Sequence, residues 1–450
     1  MKTQRAVFCS LLVALAAGLS VAQQPSPVTV IKAGRLIDPE TGTAAANQMI
    51  LVAGEKITGV GPSLAIPSGA TVIDLSSLTV LPGLVDAHTH MALTYKERPE
   101  NYYYYLTYIT DSTPLRAIQA ASNGIQLLNS GFTVVRDVGN NALYVDAALR
   151  QAVEQGWLPG PTVIPSGPMI GSTGGQFWPT PEMYKYHDIM YPEYIDANSP
   201  DEIVRAVREN MLFGARVIKL CVDCKPWGYS VDDIKLAISE AAKGGCKVEA
   251  HVQTPEGGQR SIDAGVFMIA HNYLTPEQHR QMAEKGIFLA GTDTPFMPYR
   301  GSEEAFKRTV ANLRDAWEKK VPLTFSTDMD YWNERMKDPR TGEWLTRGEL
   351  TINFLETWKA AGIPPADILR AMTINGYKAA DVIDQRGPIK PGFFADIIAV
   401  AGDPLADIQT LRNVQFVMKN GLVFKKDGVM MPEKFFHPGP VRTPNGRWTR

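Results

Sequence analysis

The stretch "ARVIKLCVDC", residues 215–224, sets a lysine inside an apolar run and follows it with a C-x-x-C pair. Read at a period of two, Ile218, Leu220 and Val222 share one face, the side expected to meet helices. Lys219 is left pointing inward, with Cys221 on the same face. Seven further strand-like runs accompany this one: "LVDAHTH", "FTVVRDV", "PTVIPSG", "CKVEAHV", "VFMIAHN", "GIFLAGT" and "PLTFSTD". Helical runs separate most of them. "SPDEIVRAVRENMLFG" offers Ser199 as N-cap and Gly214 as stop, and "TRGELTINFLETWKAAG" offers a Thr346–Glu349 capping box with Gly362 as stop. Eight strands alternating with helices predict an α/β chain folded as a (β/α)8 TIM barrel, with a doubly wound sheet as the alternative.

Outside the alternating region the pattern is all β. Residues 27–81 hold short strands with turns, and "FFADIIAVAGDP" and "VQFVMKNGLVFKKDG" repeat the pattern near the other end, with Asn420-Gly421 as a hairpin turn. The two ends are expected to form one small β-sandwich domain. The resulting division is a signal peptide at 1–22, β-sandwich at 23–83, catalytic barrel at 84–386, β-sandwich again at 387–430, and a tail at 431–450 read as a surface arm.

A net charge of −2 gives no footprint for nucleic acid or another polyanion. "MKTQR" followed by "AVFCSLLVALAAGL" and "SVA" reads as a secretory signal cleaved after Ala22, so the mature chain is expected to be periplasmic or secreted, without a membrane span. Cys9 leaves with the signal. Cys221, Cys224 and Cys246 are too few for a disulfide framework.

Active sites of barrels lie at the C-terminal ends of the strands. The first run ends in His88 and His90, two apart and therefore on one side of an extended strand. The fourth carries Lys219, the fifth His251, the sixth His271 and the eighth Asp328. Imidazole and carboxylate at one mouth suit zinc, with manganese, iron or cobalt as alternatives. Of the other histidines, His187 falls in a loop that could line a pocket, His279 is read as a solvated helix residue, and His437 lies in the tail.

These residues resemble the amidohydrolase superfamily, in particular its imidazolonepropionase-like and dipeptidase-like members. "LPGLVDAHTH", "FTVVRDVGN" and "GPIKPGFFADIIAVAGDPLADI" carry the resemblance over essentially the whole mature chain. It implies two divalent metal ions. His88, His90 and Asp328 would hold one, His251 and His271 the other, and a CO2-derived carbamate on Lys219 would bridge them. It further implies hydrolysis of an amide bond, in a peptide or an N-acyl amino acid, by a metal-bridging hydroxide with Asp328 as general base and then acid. The lysine fits physically, because a buried ammonium has a depressed pKa and a neutral amine can add CO2. Asp293 in "LAGTD" is a decoy for Asp328; counting strands places it on the seventh.

Gln176, Trp178, Lys225, Tyr273, Arg300 and Tyr331 are the candidates for contact with a small-molecule substrate. Gln176 stands where relatives often have histidine in "TGGH", and "MIAHNY" replaces the commoner "IEHG". Both departures put a standard dipeptide specificity in doubt and leave esters, lactones and aromatic amides open. A deaminase is disfavoured by Lys219, and a binding protein without catalysis by the complete ligand set. Relatives are often homo-oligomers, which makes one the expectation here. The C-x-x-C reads as incidental: along a continuing strand Cys221 and Cys224 face opposite sides, although a link between them after export is left open.

Overall fold

The computed structural model describes residues 27–94, 107, 110–139, 141–186, 188, 191–292, 303–329, 342 and 345–431. The expected signal segment, the tail arm, His187, His437, Asp293, Arg300 and Tyr331 lie outside these residues.

Both ends of the chain meet in one eight-stranded sheet. The N-terminal strands are β1 (Val28–Asp38), β2 (Thr43–Ala53), β3 (Lys56–Gly61) and β4 (Thr71–Pro82). Three of these are longer than the short strands the sequence suggests, with 11, 11 and 12 residues in β1, β2 and β4. The C-terminal strands β15 (Ile397–Val400), β16 (Val414–Lys419), β17 (Leu422–Lys426) and β18 (Val429–Met430) complete the order β18-β17-β16-β15-β4-β1-β2-β3. The antiparallel β4–β15 ladder joins the two ends. Asn420 and Gly421 turn the β16–β17 hairpin with φ of 49° and 72°, the left-handed pair a tight hairpin needs.

The middle of the chain alternates strand and helix. β5 (Leu84–Thr89), β6 (Phe132–Asp137) and β7 (Thr162–Pro165) form a parallel three-stranded sheet. A second parallel sheet runs β14-β13-β12-β11-β10-β8-β9, with β8 (Met169–Gly171), β9 (Tyr194–Asp196), β10 (Val217–Cys221), β11 (Lys247–His251), β12 (Met268–Ala270), β13 (Phe288–Ala290) and β14 (Leu323–Thr324). The third predicted run forms β7 alone, paired with β6; the chain bends at Gly167 (φ 68°), where that run ends, and a further short strand, β8, pairs with β10. Arg216 N also donates to Pro165 O, 2.7 Å, so the two sheets connect there. At the other edge Ala87 N donates to Phe325 O, 2.9 Å, and Thr89 bridges Met329.

Caps fix where helices begin. Ser199 and Glu202 form a capping box at Pro200–Leu212, and Thr346 with Glu349 forms another at Arg347–Asn353, each worth about 1 kcal/mol. The run from Thr346 to Gly362 is two helices, Arg347–Asn353 and Leu355–Ala360, meeting at Phe354. Ile218 and Leu220 of β10, with Val222 just past its end, pack with Ile203, Val207 and Ile234 of the flanking helices in one apolar core. That packing turns Lys219 to the opposite side. No helix among the described residues is long and apolar enough to cross a membrane.

Candidate metal centre

Strand ends bring the chemistry together. His88 lies in β5 and His90 just past it; Lys219 lies in β10, His251 ends β11, His271 follows β12, and Asp328 follows β14. His88, His90 and Asp328 each offer a donor atom, all within 4.8 Å of one another.

The imidazole contacts decide what this cluster can hold. His90 Nδ1 lies 2.8 Å from the Gly139 carbonyl, which can only accept, so Nδ1 carries a proton and Nε2 is the nitrogen turned to the centre. That Nε2 lies 2.8 Å from Asp328 Oδ1. His88 Nδ1 lies 2.8 Å from Glu249 Oε1, and its Nε2 is 3.3 Å from Asp328 Oδ1. Burial pushes the Asp328 carboxyl up, but contacts to His88 and His90 outweigh it and hold the group well below its usual range. The Asp328 carboxylate thus meets an imidazole nitrogen of each histidine at or near contact distance, a contact that a shared proton or a shared cation holds together. An outer partner on the far nitrogen, as Gly139 O is for His90, is the usual support of a metal-binding histidine.

His251 and His271 form the second pair. His271 Nε2 lies 2.8 Å from His251 Nδ1, and Thr292 Oγ1 is 2.9 Å from His271 Nδ1. Burial pushes His271 down to about 3 and, with the neighbouring His271, holds His251 well below the usual range. Both are neutral at pH 7, the state a ligand requires.

Lys219 is fully buried, with Nζ 2.7 Å from Glu249 Oε1 and 3.5 Å from His88 Nε2. Burial lowers its pKa, opposed by Glu249 and Asp328. Burial also works against Glu249, but Lys219, Arg136 and His88 outweigh it and keep the carboxylate ionised. Arg136 Nη1 lies 2.7 Å from Glu249 Oε2. Glu249 and Arg136 were not foreseen from the sequence. The signal for Glu249 is its spacing: two before His251 on the same strand, and register partner of Lys219 across β10–β11.

The loops are held under strain. His271, Thr292 and Asp328 have φ of 71°, 51° and 52°, left-handed values that cost a residue with a side chain energy unless its surroundings impose them. Asp86 supplies part of that restraint, accepting from the backbone N of His88 and Thr327 and from Thr327 Oγ1 at 2.6 Å. Arg347, also unforeseen, is buried and donates to His90 O, Thr89 Oγ1 and Met329 O.

Around this centre, Gln176 Nε2 lies 3.0 Å from His251 Nε2. Gly175 makes the approach feasible: a Cβ there would meet the Tyr194 ring at 2.1 Å, and its φ is 48°. Trp178 and Tyr273 are 66% and 51% exposed, and the Tyr273 ring is 6.4 Å from that of His271. Trp227, 58% exposed, packs edge-on to Trp178.

Three readings change. Lys225 is buried and its Nζ donates to Gly175 O and Phe177 O, 2.6 Å each, so the ammonium braces the Gln176 loop instead of waiting for a substrate carboxylate. His279 is buried, between Asp315 Oδ2 at 2.6 Å and Asn272 Oδ1 at 2.7 Å, not solvated. Cys221 and Cys224 are disulfide-bonded. The argument from opposite faces fails because β10 ends at Cys221, and Cys224 belongs to the following turn.

A parallel α/β fold with histidines and a carboxylate gathered at its strand ends presents the donor set of a metal-binding enzyme site. Residues 79–423 match the amidohydrolase family, and the chain belongs to it. It is 27% identical to ochratoxinase of Aspergillus niger over 444 residues, spanning 89% of this chain and 88% of that protein. It is 26% identical to imidazolonepropionase of Alkaliphilus metalliredigens, spanning 85% and 91%. Among solved structures, an Xaa-Pro dipeptidase with methionine bound in its active site superposes with a TM-score of 0.74 at 26% identity, over 88% of this chain and all of that one. The chain is therefore an enzyme that hydrolyses carbon–nitrogen bonds of the amide type.

Proposed function

We propose that the enzyme cleaves the amide of a small N-acyl amino acid or dipeptide carrying an aromatic group, with two divalent ions, zinc first, as its cofactor. The observation that carries the metal reading is Asp328 Oδ1, set 2.8 Å from a His90 nitrogen whose partner nitrogen is already committed to Gly139 O. His88, His90 and Asp328 would hold one ion, and His251 and His271 the other, with Lys219 bridging as its carbamate. Bound metal would supply a water that is nucleophilic near neutral pH and polarise the scissile carbonyl.

The chain's own residues do the rest. Asp328, the one carboxylate among the first ion's candidate ligands, is placed to take a proton at Oδ2 and pass it to the departing amine. Asp86 and Arg347 hold the two loops that carry Asp328 and His90. Gln176 reaches the second histidine pair and is placed to hold a substrate carbonyl or carboxylate. Trp178, Trp227 and Tyr273 give the aromatic rim against which a planar acyl group can stack. Ochratoxinase and the Xaa-Pro dipeptidase are both amide-cleaving relatives, which supports this choice over an ester.

The same reading takes the linked parallel strands as a closed (β/α)8 barrel and the terminal sheet as part of a separate β-sandwich domain. It also takes residues 1–22 as a signal for export to the periplasm or beyond, and the enzyme as a homo-oligomer. N-terminal sequencing of the exported protein and sedimentation test the last two. The function is tested by metal content per chain and a screen of aromatic N-acyl amino acids, dipeptides, esters and lactones before and after chelation. Hydrolysis of the amides that chelation abolishes and zinc, manganese or cobalt restores is the expected result. Fewer than one metal per chain after loading, with no hydrolysis, overturns it.

A further inference from the structure

Cys221 and Cys224 sit against the second histidine pair. Their sulfurs and one ring nitrogen of His251 all lie within 4.8 Å of one another, and all three residues are buried. The placement is built, not incidental. Asp223, between the cysteines, accepts hydrogen bonds from Gln253 N, Thr254 N and Thr254 Oγ1, and Val222 N donates to His251 O, 3.1 Å. These bonds fold the turn after β10 back onto the turn after β11 and press Cys224 toward His251. Met169, Phe177 and Tyr194 close the other side of the pair. A disulfide over three positions closes so short a loop that it removes little freedom from the unfolded chain, so stability alone gives weak reason for it.

We propose that reduction of the Cys221–Cys224 disulfide creates a further metal site, two thiolates and a ring nitrogen of His251, which competes with His271 for His251. Two sulfurs and one imidazole are a recognised set of three protein ligands for zinc, leaving the fourth position open, and thiolates favour soft or borderline ions. The step balances. A small dithiol gives two electrons and two protons to the disulfide and becomes a cyclic disulfide itself. Each new thiol then loses its proton to solvent as its sulfur–metal bond forms. In the oxidised chain the sulfurs have no such capacity and His251 stays with His271. The redox state of the pair thereby decides which site owns His251. This goes beyond the hydrolytic function, and its readout does not need a substrate.

The test uses the full chain, stripped of metal and compared before and after treatment with a small dithiol that is then removed without air. Cobalt(II) is added to each. Reduction should expose two more titratable thiols. A thiolate-to-cobalt charge-transfer band should then appear in the near ultraviolet in the reduced protein alone, its final intensity matching one thiolate-bound cobalt per chain. Cys221→Ser and Cys224→Ser should each lose most of the band, and His251→Ala should weaken cobalt binding at that site at least ~10-fold. Three results overturn the proposal: no gain of thiols under dithiol, two new thiols without the band, or a band that survives in Cys221→Ser. If Cys221→Ser does not fold, the comparison of oxidised with reduced wild type decides. Failure of the hydrolysis assays leaves this outcome unaffected.

Discussion

Replacing Glu249 by glutamine tests the buried charge network on which the candidate centre rests. The carboxylate is fully buried, 2.7 Å from Lys219 Nζ and 2.7 Å from Arg136 Nη1. At an effective dielectric of about 20, a pair at 4 Å is worth roughly 4 kcal/mol gross, and desolvating the carboxylate offsets several kcal/mol of that. What remains behind sets the net loss. Arg136 cannot shed its proton, and its Nε and Nη2 already lack a hydrogen-bond partner among the described residues. Lys219 can shed its proton, since burial already lowers its pKa. The variant therefore orphans one cation, not two, which puts the cost near ~3 kcal/mol, the lower end for a broken buried pair. Equilibrium urea unfolding of the metal-free protein measures it. Adding Lys219→Met to Glu249→Gln should then cost little beyond packing, giving a coupling energy of about 0.5–3 kcal/mol in the cycle. The variant should also bind zinc ~10–100-fold more weakly, because His88 Nδ1 loses the carboxylate 2.8 Å away. A Glu249→Gln protein within about 0.5 kcal/mol of wild type refutes the network as placed.

Lys219→Ala should lose activity on the order of 100-fold or more, beyond the 10–100-fold of a supporting contact, and recover part of it with a short-chain carboxylate. Unchanged hydrolysis would remove Lys219 from the centre. In the terminal sheet, burial first and Arg386 second push the Lys419 ammonium down to about 8. The charged lysine thus destabilises the fold below pH 8, and the penalty fades as pH rises from about 8 to 10.5. Lys419→Met should stabilise by about 1–3 kcal/mol in urea unfolding at pH 7, with the gain shrinking toward pH 10; a pH-independent difference contradicts this. Burial, against the pull of Asp315, holds His279 below its ordinary value. The unfolded chain then takes up a proton first, and stability should fall as pH drops through about 6.5. In His279→Gln that slope should flatten, which the urea midpoint at several pH values reads directly.

Much of this was written in local pattern. Period two placed Lys219 inward, and Ser199 and Thr346 announced helix starts, because those signals act within one element. The two-residue spacing of His88 and His90 is of the same kind, whereas Asp328 is selected by counting strands along the chain. Glu249 was not legible in that way: a glutamate in a strand reads as a polar face until the register sets it beside Lys219. His279 failed for a similar reason, since its partner Asp315 lies on another helix, 36 residues on. The cysteine pair was misjudged at a boundary. Strand parity holds only while the strand continues, and the bonds of Asp223 to Gln253 and Thr254 end it. The short strand β8 escapes the local pattern for a related reason: left-handed Gly167 closes the run that forms β7, and β8 takes up pairing only beyond that bend.

Glu249 also constrains how Lys219 can become a bridge. In the described structure the ammonium and the carboxylate neutralise each other, fully buried, with Arg136 on the far oxygen. Carboxylating Lys219 changes its charge from positive to negative and places a second anion beside Glu249 and Asp328. Three anions sharing one largely buried space are unfavourable unless cations enter with them. Carboxylation and metal loading must then be coupled, neither proceeding far alone. In isotope-labelled bicarbonate, the metal-free protein should show no carbamate carbon resonance, and stoichiometric zinc should bring it up. Lys219→Ala should show none in either state. A carbamate signal of full intensity before metal is added would mean that Glu249 does not hold Lys219 as an ammonium. The pairing at 2.7 Å would then have to give way to a different partner for Glu249 in solution.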